Sequence, residues 1–280
     1  MKKLALLILA AVAALPLAAS AADANAYADV LSAYVYRGQI GNDEAVFQPG
    51  LNVDGPLGLG YSFWGSMNLT DVESSWYPDS AGEWGEVDLG LSWAVPLKGP
   101  VGFSVGGIYF IYPQNASEVA VDEETGAPIL DAEGNAQVSK APADGSYEVF
   151  VEAAAEDVPL APTLRFCHDL DNTDDWIAML SISHSFDLIE KLSLDLGAGI
   201  GYAGDFYVAD NYGGSDAGDA FTHAQLDAGL NYAFTEAFSL GLKGSFCTLV
   251  DEDVRDDVDE SAVYPETEIF SGGVTASYSF

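Results

Sequence analysis

Residues 192–202 read Leu192-Ser193-Leu194-Asp195-Leu196-Gly197-Ala198-Gly199-Ile200-Gly201-Tyr202. The even positions carry Leu, Ala, Ile and Tyr, and the odd positions carry Ser, Asp and Gly. Successive side chains of a strand point to opposite faces, so this segment has one apolar face and one small, polar face. A strand of a soluble sandwich fits that description. So does a membrane-spanning strand with lipid on one side and water on the other. The rest of the chain has to choose between them.

Strand-like segments recur at 27–37, 46–54, 57–69, 84–96, 100–112, 146–155, 160–169, 175–187, 190–203, 220–233, 236–249 and 266–280. The first, second and sixth are the least regular, so ten strands stand beside twelve as an alternative. The connections alternate strictly. Tight turns at 54–57, 96–100, 155–160, 187–190 and 233–236 are interleaved with longer loops at 38–45, 70–83, 113–145, 170–174, 204–219 and 250–265. A soluble sandwich has no reason to keep that parity. An outer-membrane barrel has short periplasmic turns, long external loops and an even strand number. The expected fold is therefore an all-β, antiparallel, up-and-down transmembrane barrel of about twelve strands.

Composition narrows the partners. The chain carries 44 acidic and 9 basic residues, a formal net charge of −35. That charge repels nucleic acid and favours cations. The chain is also 49% hydrophobic, with 14 Tyr and 14 Phe, which argues against an acidic disordered protein. Acids crowd the expected external loops, as in 251–260, whereas Lys98 and Lys191 lie in expected periplasmic turns. Neither 251–260 nor 169–175 has the spacing of an EF-hand calcium loop, so no metal or other cofactor is assigned.

Residues 1–21 read as a secretory signal: Lys2 and Lys3, an apolar run from Leu4 to Leu17, then Ala19-Ser20-Ala21. The barrel would occupy 22–280. At the other end, Val274, Ala276, Tyr278 and Phe280 alternate up to a terminal aromatic. This resembles the C-terminal signature by which outer-membrane barrels are recognised for assembly. Tyr278 and Phe280 are then the assembly signal, and the barrel assembly machinery, outer-membrane lipid and lipopolysaccharide are the expected partners. Export permits a disulfide, and Cys167 and Cys247 are the two cysteines, but nothing in the sequence brings them together.

Parity assigns a lumenal face to Arg37, Asp88, Glu148, Glu152, Arg165, Asp195, His223, Gln225, Asp227, Asn231 and Lys243, separated by many Gly and Ser. Scattered charges among small residues favour a hydrated bore over a packed one. Arg165 follows Glu148 and Glu152 across one tight turn, so an Arg–Glu ladder pair is expected there. The loop 113–145 is the longest, with Glu118, Asp122, Glu123, Glu124, Asp131 and Glu133. Folded inward, it would form a cation-selecting constriction; lying outside, it would be a solvated surface.

The opening Ser32-x-Tyr34-x-Tyr36-Arg37-Gly38, with Asp43, Gln48-Pro49-Gly50 and Trp64-Gly65-Ser66, resembles a family of Gram-negative outer-membrane barrels that begin with an S-x-Y-x-x-R-G strand. The match spans about residues 30–70. It implies a porin-like fold and an outer-membrane location, and carries no established substrate. Twelve-stranded barrels at large resemble nucleoside channels, acidic-oligosaccharide channels and the outer-membrane phospholipase. The H-x-S-N-G pattern of the last is absent, and of the three His only His168 combines an outward parity with the external rim. No enzyme is expected. The expected function is passive diffusion of small hydrophilic solutes with a cation preference. A structural or surface-interaction barrel is the alternative.

Overall fold

The structure is a computed structural model that describes residues 22–70, 81–113, 116–119, 138–141, 145–213, 218–261 and 266–280. The signal-peptide reading of 1–21 lies outside them. Among the described residues, sixteen strands occur in the order β1 (Asp23–Leu31), β2 (Tyr34–Tyr36), β3 (Gln39–Asn42), β4 (Val46–Asp54), β5 (Leu59–Asn68), β6 (Trp84–Val95), β7 (Gly102–Ile111), β8 (Ala116–Val119), β9 (Val138–Ala141), β10 (Ser146–Ala154), β11 (Thr163–Asp169), β12 (Trp176–Ile189), β13 (Leu192–Ala203), β14 (Ala220–Ala233), β15 (Phe238–Leu249) and β16 (Glu268–Ser279). Two described α-helices, α1 (Asp205–Tyr212) and α2 (Glu252–Ser261), lie between β13 and β14 and between β15 and β16.

Twelve of the strands close into one barrel, and β1 pairs with both β16 and β4. Every pairing in the wall is antiparallel. β2–β3 and β8–β9 are separate two-stranded ribbons. The alternation of residues 192–202 is used as written: Asp195 meets Asn231 and Gly197 lies beside Asp227 on the bore side, and the pleat turns Leu192, Leu194, Leu196 and Ile200 outward.

Following the register once around from Leu31 returns to β1 displaced by roughly 16 residues. With ~3.3 Å per residue and ~4.8 Å between strands, that stagger tilts the strands by about 45° and gives a backbone radius of roughly 12 Å. Side chains fill the interior of an eight-stranded barrel, but this bore is wider and its wall is rich in Gly and Ser. Something else must occupy it, or water will.

The outer surface is apolar. Leu91, Val151, Leu180, Leu226, Leu242 and Val274 are exposed there. Toward the long-loop end, outward aromatics make a chain around the wall. Tyr109 stacks on Tyr147 at 4.4 Å and Phe166 on Trp176 at 5.6 Å; Trp176 meets Tyr202, and Tyr202 meets Phe221 at 4.8 Å. At the short-turn end, Tyr232, Phe234 and Phe238 form a second group, and Tyr278 packs on Phe280. Two aromatic rims bounding an apolar band are the outer dress of a barrel that sits in lipid.

Three expectations need correction. The first barrel strand is 23–31 rather than 27–37. Leu31 pairs with Val46 at the point where β4 begins; Ser32 and Ala45 make the last backbone bonds to the wall, and the residues between them leave its ladders and turn inward as the β2–β3 hairpin. Arg37 is therefore the tip of that hairpin (φ 51°), not a wall residue. Parts of the acidic run 251–260 and of the 204–219 loop are helical. Val254 and Val258 of α2 are buried four residues apart, one face of a helical turn.

Candidate functional site

The hairpin lies in the long-loop half of the bore and reaches several parts of its wall. Tyr34 donates its hydroxyl to Glu86 Oε2 on β6 at 2.7 Å and packs on Trp64 of β5 at 5.2 Å. Tyr36 meets Phe110 of β7 edge-on at 6.3 Å. At the tip, Arg37 donates to both carboxylate oxygens of Glu148 on β10, at 2.7 and 2.9 Å, and to the Tyr207 hydroxyl of α1 at 3.0 Å. One guanidinium nitrogen also stands 3.6 Å from Cys167 Sγ. Tyr212 of α1 donates to the Arg37 carbonyl at 2.5 Å, and Gln39 donates to Asn211 at 3.2 Å.

Gly38 is required at the next position. Its φ is +82°, and a Cβ there would stand 2.8 Å from His223 Cβ and 2.9 Å from Leu249 Cδ2. A side chain would both strain the backbone and collide with β14 and β15.

Helix α1 is set by its ends and one buried face. Gly204 precedes it, Gly213 follows in the left-handed conformation, and the buried Asp175 carboxylate accepts the Tyr207 amide at 2.9 Å. Tyr207, Val208 and Tyr212 then pack with Phe150, Cys167, Ile177, Leu249, Val254 and Val258 into an apolar core inside the barrel. Burial pushes the Tyr36 and Tyr207 hydroxyls above the ordinary tyrosine value, with the Arg37 charge opposing in both cases. Both stay neutral at physiological pH.

Below this packed half lies a cavity of 760 Å³ in the half of the bore toward the short turns. Glu152, Arg165, Asp195, His223, Asp227 and Lys243 contribute to its wall. Lys243 Nζ pairs with Asp29 Oδ2 at 2.6 Å. Arg165 Nε stands 3.4 Å from Glu152 Oε2 without hydrogen-bond geometry, while its guanidinium lies over the Phe150 ring at 3.8 Å. Asp195 accepts from Asn231, and Asp227 accepts from Gln225 at 2.8 Å. These last two carboxylates are held by neutral amides, each beside a glycine of the adjacent strand: Gly229 for Asp195 and Gly197 for Asp227.

The residues expected to line a pore therefore fall into two groups. Glu152, Arg165, Asp195, Asp227 and Lys243 surround the cavity. Arg37 and Glu148 are buried in the packed half, and Asp88 lies beside Glu86 on β6 with one buried carboxylate oxygen that has no hydrogen-bond partner among the described residues. His223 is at the boundary: it lines the cavity, is 6% exposed, and contacts Thr222 Oγ1 at 3.0 Å. Arg165 does pair across the ladder with Glu152, but Glu148 belongs to Arg37. Asp122, Glu123, Glu124, Asp131 and Glu133 lie outside the described residues, and for Glu118 only its place in β8 is described.

Parity reasoning passed over Asp29, Gln48 and Glu86, although their positions match the inward parity of their strands. Nothing in a period of two could have found Tyr207 or Tyr212. Cys167 and Cys247 are free thiols, on β11 and β15, with β12, β13 and β14 between them. His168 contacts Asp174 Oδ1 at 3.3 Å near the long-loop rim. Asp169 Oδ1 accepts from the amides of Asp171, Asn172 and Thr173, which folds the 170–174 connection. The residues that carry the family resemblance meet in space: Tyr34 with Trp64, Gln48 with Ser66 at 3.3 Å, and Arg37-Gly38 at the tip.

No family model matches the chain, and no curated protein matches it. Among solved structures it is similar to the NanC porin, with a TM-score of 0.48 and 10% identity over 91% of this chain and 98% of that one. It is also similar to the KdgM porin in complex with disordered oligogalacturonate, with a TM-score of 0.47 and 9% identity over 92% and 99% of the two chains. Salmonella typhi OmpF in complex with daunomycin gives a TM-score of 0.38 at 10% identity, over 92% and 97%.

Proposed function

We propose that the chain spans a Gram-negative outer membrane, with its short turns in the periplasm and its long loops outside, and conducts small hydrophilic solutes passively. The observation that carries this reading is the pairing of an apolar outer band with a 760 Å³ charged cavity inside one closed barrel. A lipid-facing wall around a polar interior is the arrangement a channel needs. The β2–β3 hairpin is its constriction. Asp195 and Asp227, paired with no cation among the described residues, give the cavity wall a negative bias and support a preference for cations or neutral solutes.

The same reading gives residues 1–21 the role of an export signal. It gives Tyr278 and Phe280 the role of a signal to the barrel assembly machinery. Phe280 also helps close the seam, since its amide and carbonyl exchange hydrogen bonds with Ala24 at 2.9 Å. The acidic external loops would face lipopolysaccharide and its divalent counter-ions.

Planar-bilayer current across a potassium chloride gradient tests the proposal. Steady steps with a cation-selective reversal potential are expected. Anion selectivity would remove the cation preference. No current from a correctly folded barrel would favour the second reading, a structural or surface-interaction barrel, for which the packed core of the long-loop half is the specific support.

A further inference from the structure

We infer that the β2–β3 hairpin is a movable plug, latched to the wall by Arg37 on Glu148, whose release opens the long-loop half of the bore. The inference rests on the channel reading and adds its regulation.

The attachment is the first reason. Backbone hydrogen bonds between this segment and the wall occur at its ends, from Ser32 to Gly272 and from Leu69 to Ala45. Between those points β2 and β3 pair with each other, in a sheet of their own. A wall strand is locked by ladders on both sides. The hairpin is held by side chains, so it can leave without opening a single barrel ladder.

The latch is polar as well as packed. It consists of the Arg37–Glu148 pair, the Tyr34–Glu86 bond and the Tyr212 bond to the Arg37 carbonyl, and Arg37 Nε is buried without a hydrogen-bond partner among the described residues. A buried ion pair contributes little net stability when whole and is costly when one partner is lost. Docking is therefore sensitive to one side chain. Arg37 also holds a left-handed backbone (φ 51°), which a non-glycine residue adopts under constraint. There is room beneath: Leu31 at the end of β1, with Ala33 and Val35 of the inward turn, forms part of the cavity wall.

The chain carries its own reporters of this motion. Cys167 is 0% and Cys247 1% exposed. Cys167 sits against the Arg37 guanidinium, and Cys247 is hydrogen-bonded by the Gly38 backbone. Both are covered by the tip of the hairpin, and both would become reachable from the bore when it moves.

The test is the rate at which a small hydrophilic methanethiosulfonate modifies each cysteine in the full chain refolded into lipid vesicles, read by mass spectrometry of the two peptides. Arg37→Ala should speed both reactions by about tenfold or more relative to the parent protein, because labelling follows the population of the open form. Tyr212→Phe removes one hydroxyl from the latch and provides the same readout if Arg37→Ala does not fold. Unheated gel mobility verifies the barrel in each case. Thiols as protected in the folded variants as in the parent would overturn the movable plug. Bilayer current on the same samples separates the two readings. Faster labelling without current supports the plug and removes the channel. Unchanged labelling with a full current in the parent overturns the plug and leaves the channel.

Discussion

Glu148→Gln is the perturbation with the most to say about the bore. The substitution keeps the shape of the side chain and removes its charge. Arg37 then remains buried with its guanidinium facing a neutral amide, because both partners are less than a tenth exposed. Removing one member of a buried, doubly hydrogen-bonded pair typically costs about 3–5 kcal/mol. Glu152→Gln is the internal comparison. Its contact with Arg165 is 3.4 Å long, lacks hydrogen-bond geometry, and lies about one-third exposed on both sides, so solvent screens it. Its loss should cost roughly 0–1 kcal/mol.

The expected difference between the two variants is thus several kcal/mol for the same chemical change two repeats of the pleat apart on one strand. Urea unfolding of the refolded protein, followed by tryptophan emission, measures it, since Trp64 packs on Tyr34 and reports the hairpin directly. The loss in Glu148→Gln cannot exceed the free energy that docks the hairpin. If docking is weaker than the pair, the variant shows an early transition of the hairpin followed by an unchanged transition of the wall. Arg37→Met combined with Glu148→Leu should recover most of the loss, because it leaves no charge buried. Equal stability of Glu148→Gln and Glu152→Gln would refute the argument that the hairpin is held by this pair.

Asp195→Asn with Asp227→Asn should move the reversal potential toward zero at unchanged fold, as the cavity loses its two amide-held carboxylates; an unmoved potential places selectivity elsewhere. Leu226→Arg puts a charge on the exposed outer band and should cost about 2–4 kcal/mol in lipid, whereas arginine at the lumenal Ser183 should cost far less; unfolding in vesicles compares them. Gly273→Val should prevent closure of the seam, because a Cβ at Gly273 runs into the Val30 carbonyl of β1; the compact band on an unheated gel should be lost.

How far the sequence was legible depends on the range of the interaction being read. The wall was legible because a strand declares itself every second residue. Leu194 and Leu196 alternating with Asp195 and Gly197 are enough to orient β13, and the same parity orients Glu152, Arg165, Asp227 and Lys243. The long–short parity of the connections was legible for the same local reason. The first strand was misplaced because Tyr34 and Tyr36 continue the alternation past the point where β4 and β16 stop offering partners. Period two is a property of any extended segment, in the wall or away from it.

The sequence by itself determined that this chain forms an antiparallel barrel, and which face of most strands is apolar. Those are consequences of neighbouring residues and of the pleat. Only the tertiary structure decided what fills the bore. Arg37 and Glu148 are 111 residues apart, and Arg37 and Tyr207 are 170 apart. Their meeting depends on the stagger that sets the radius, on a hairpin left without a place in the wall, and on a helix set in a loop. Each of those follows from the closed barrel as a whole, so no local pattern announces them.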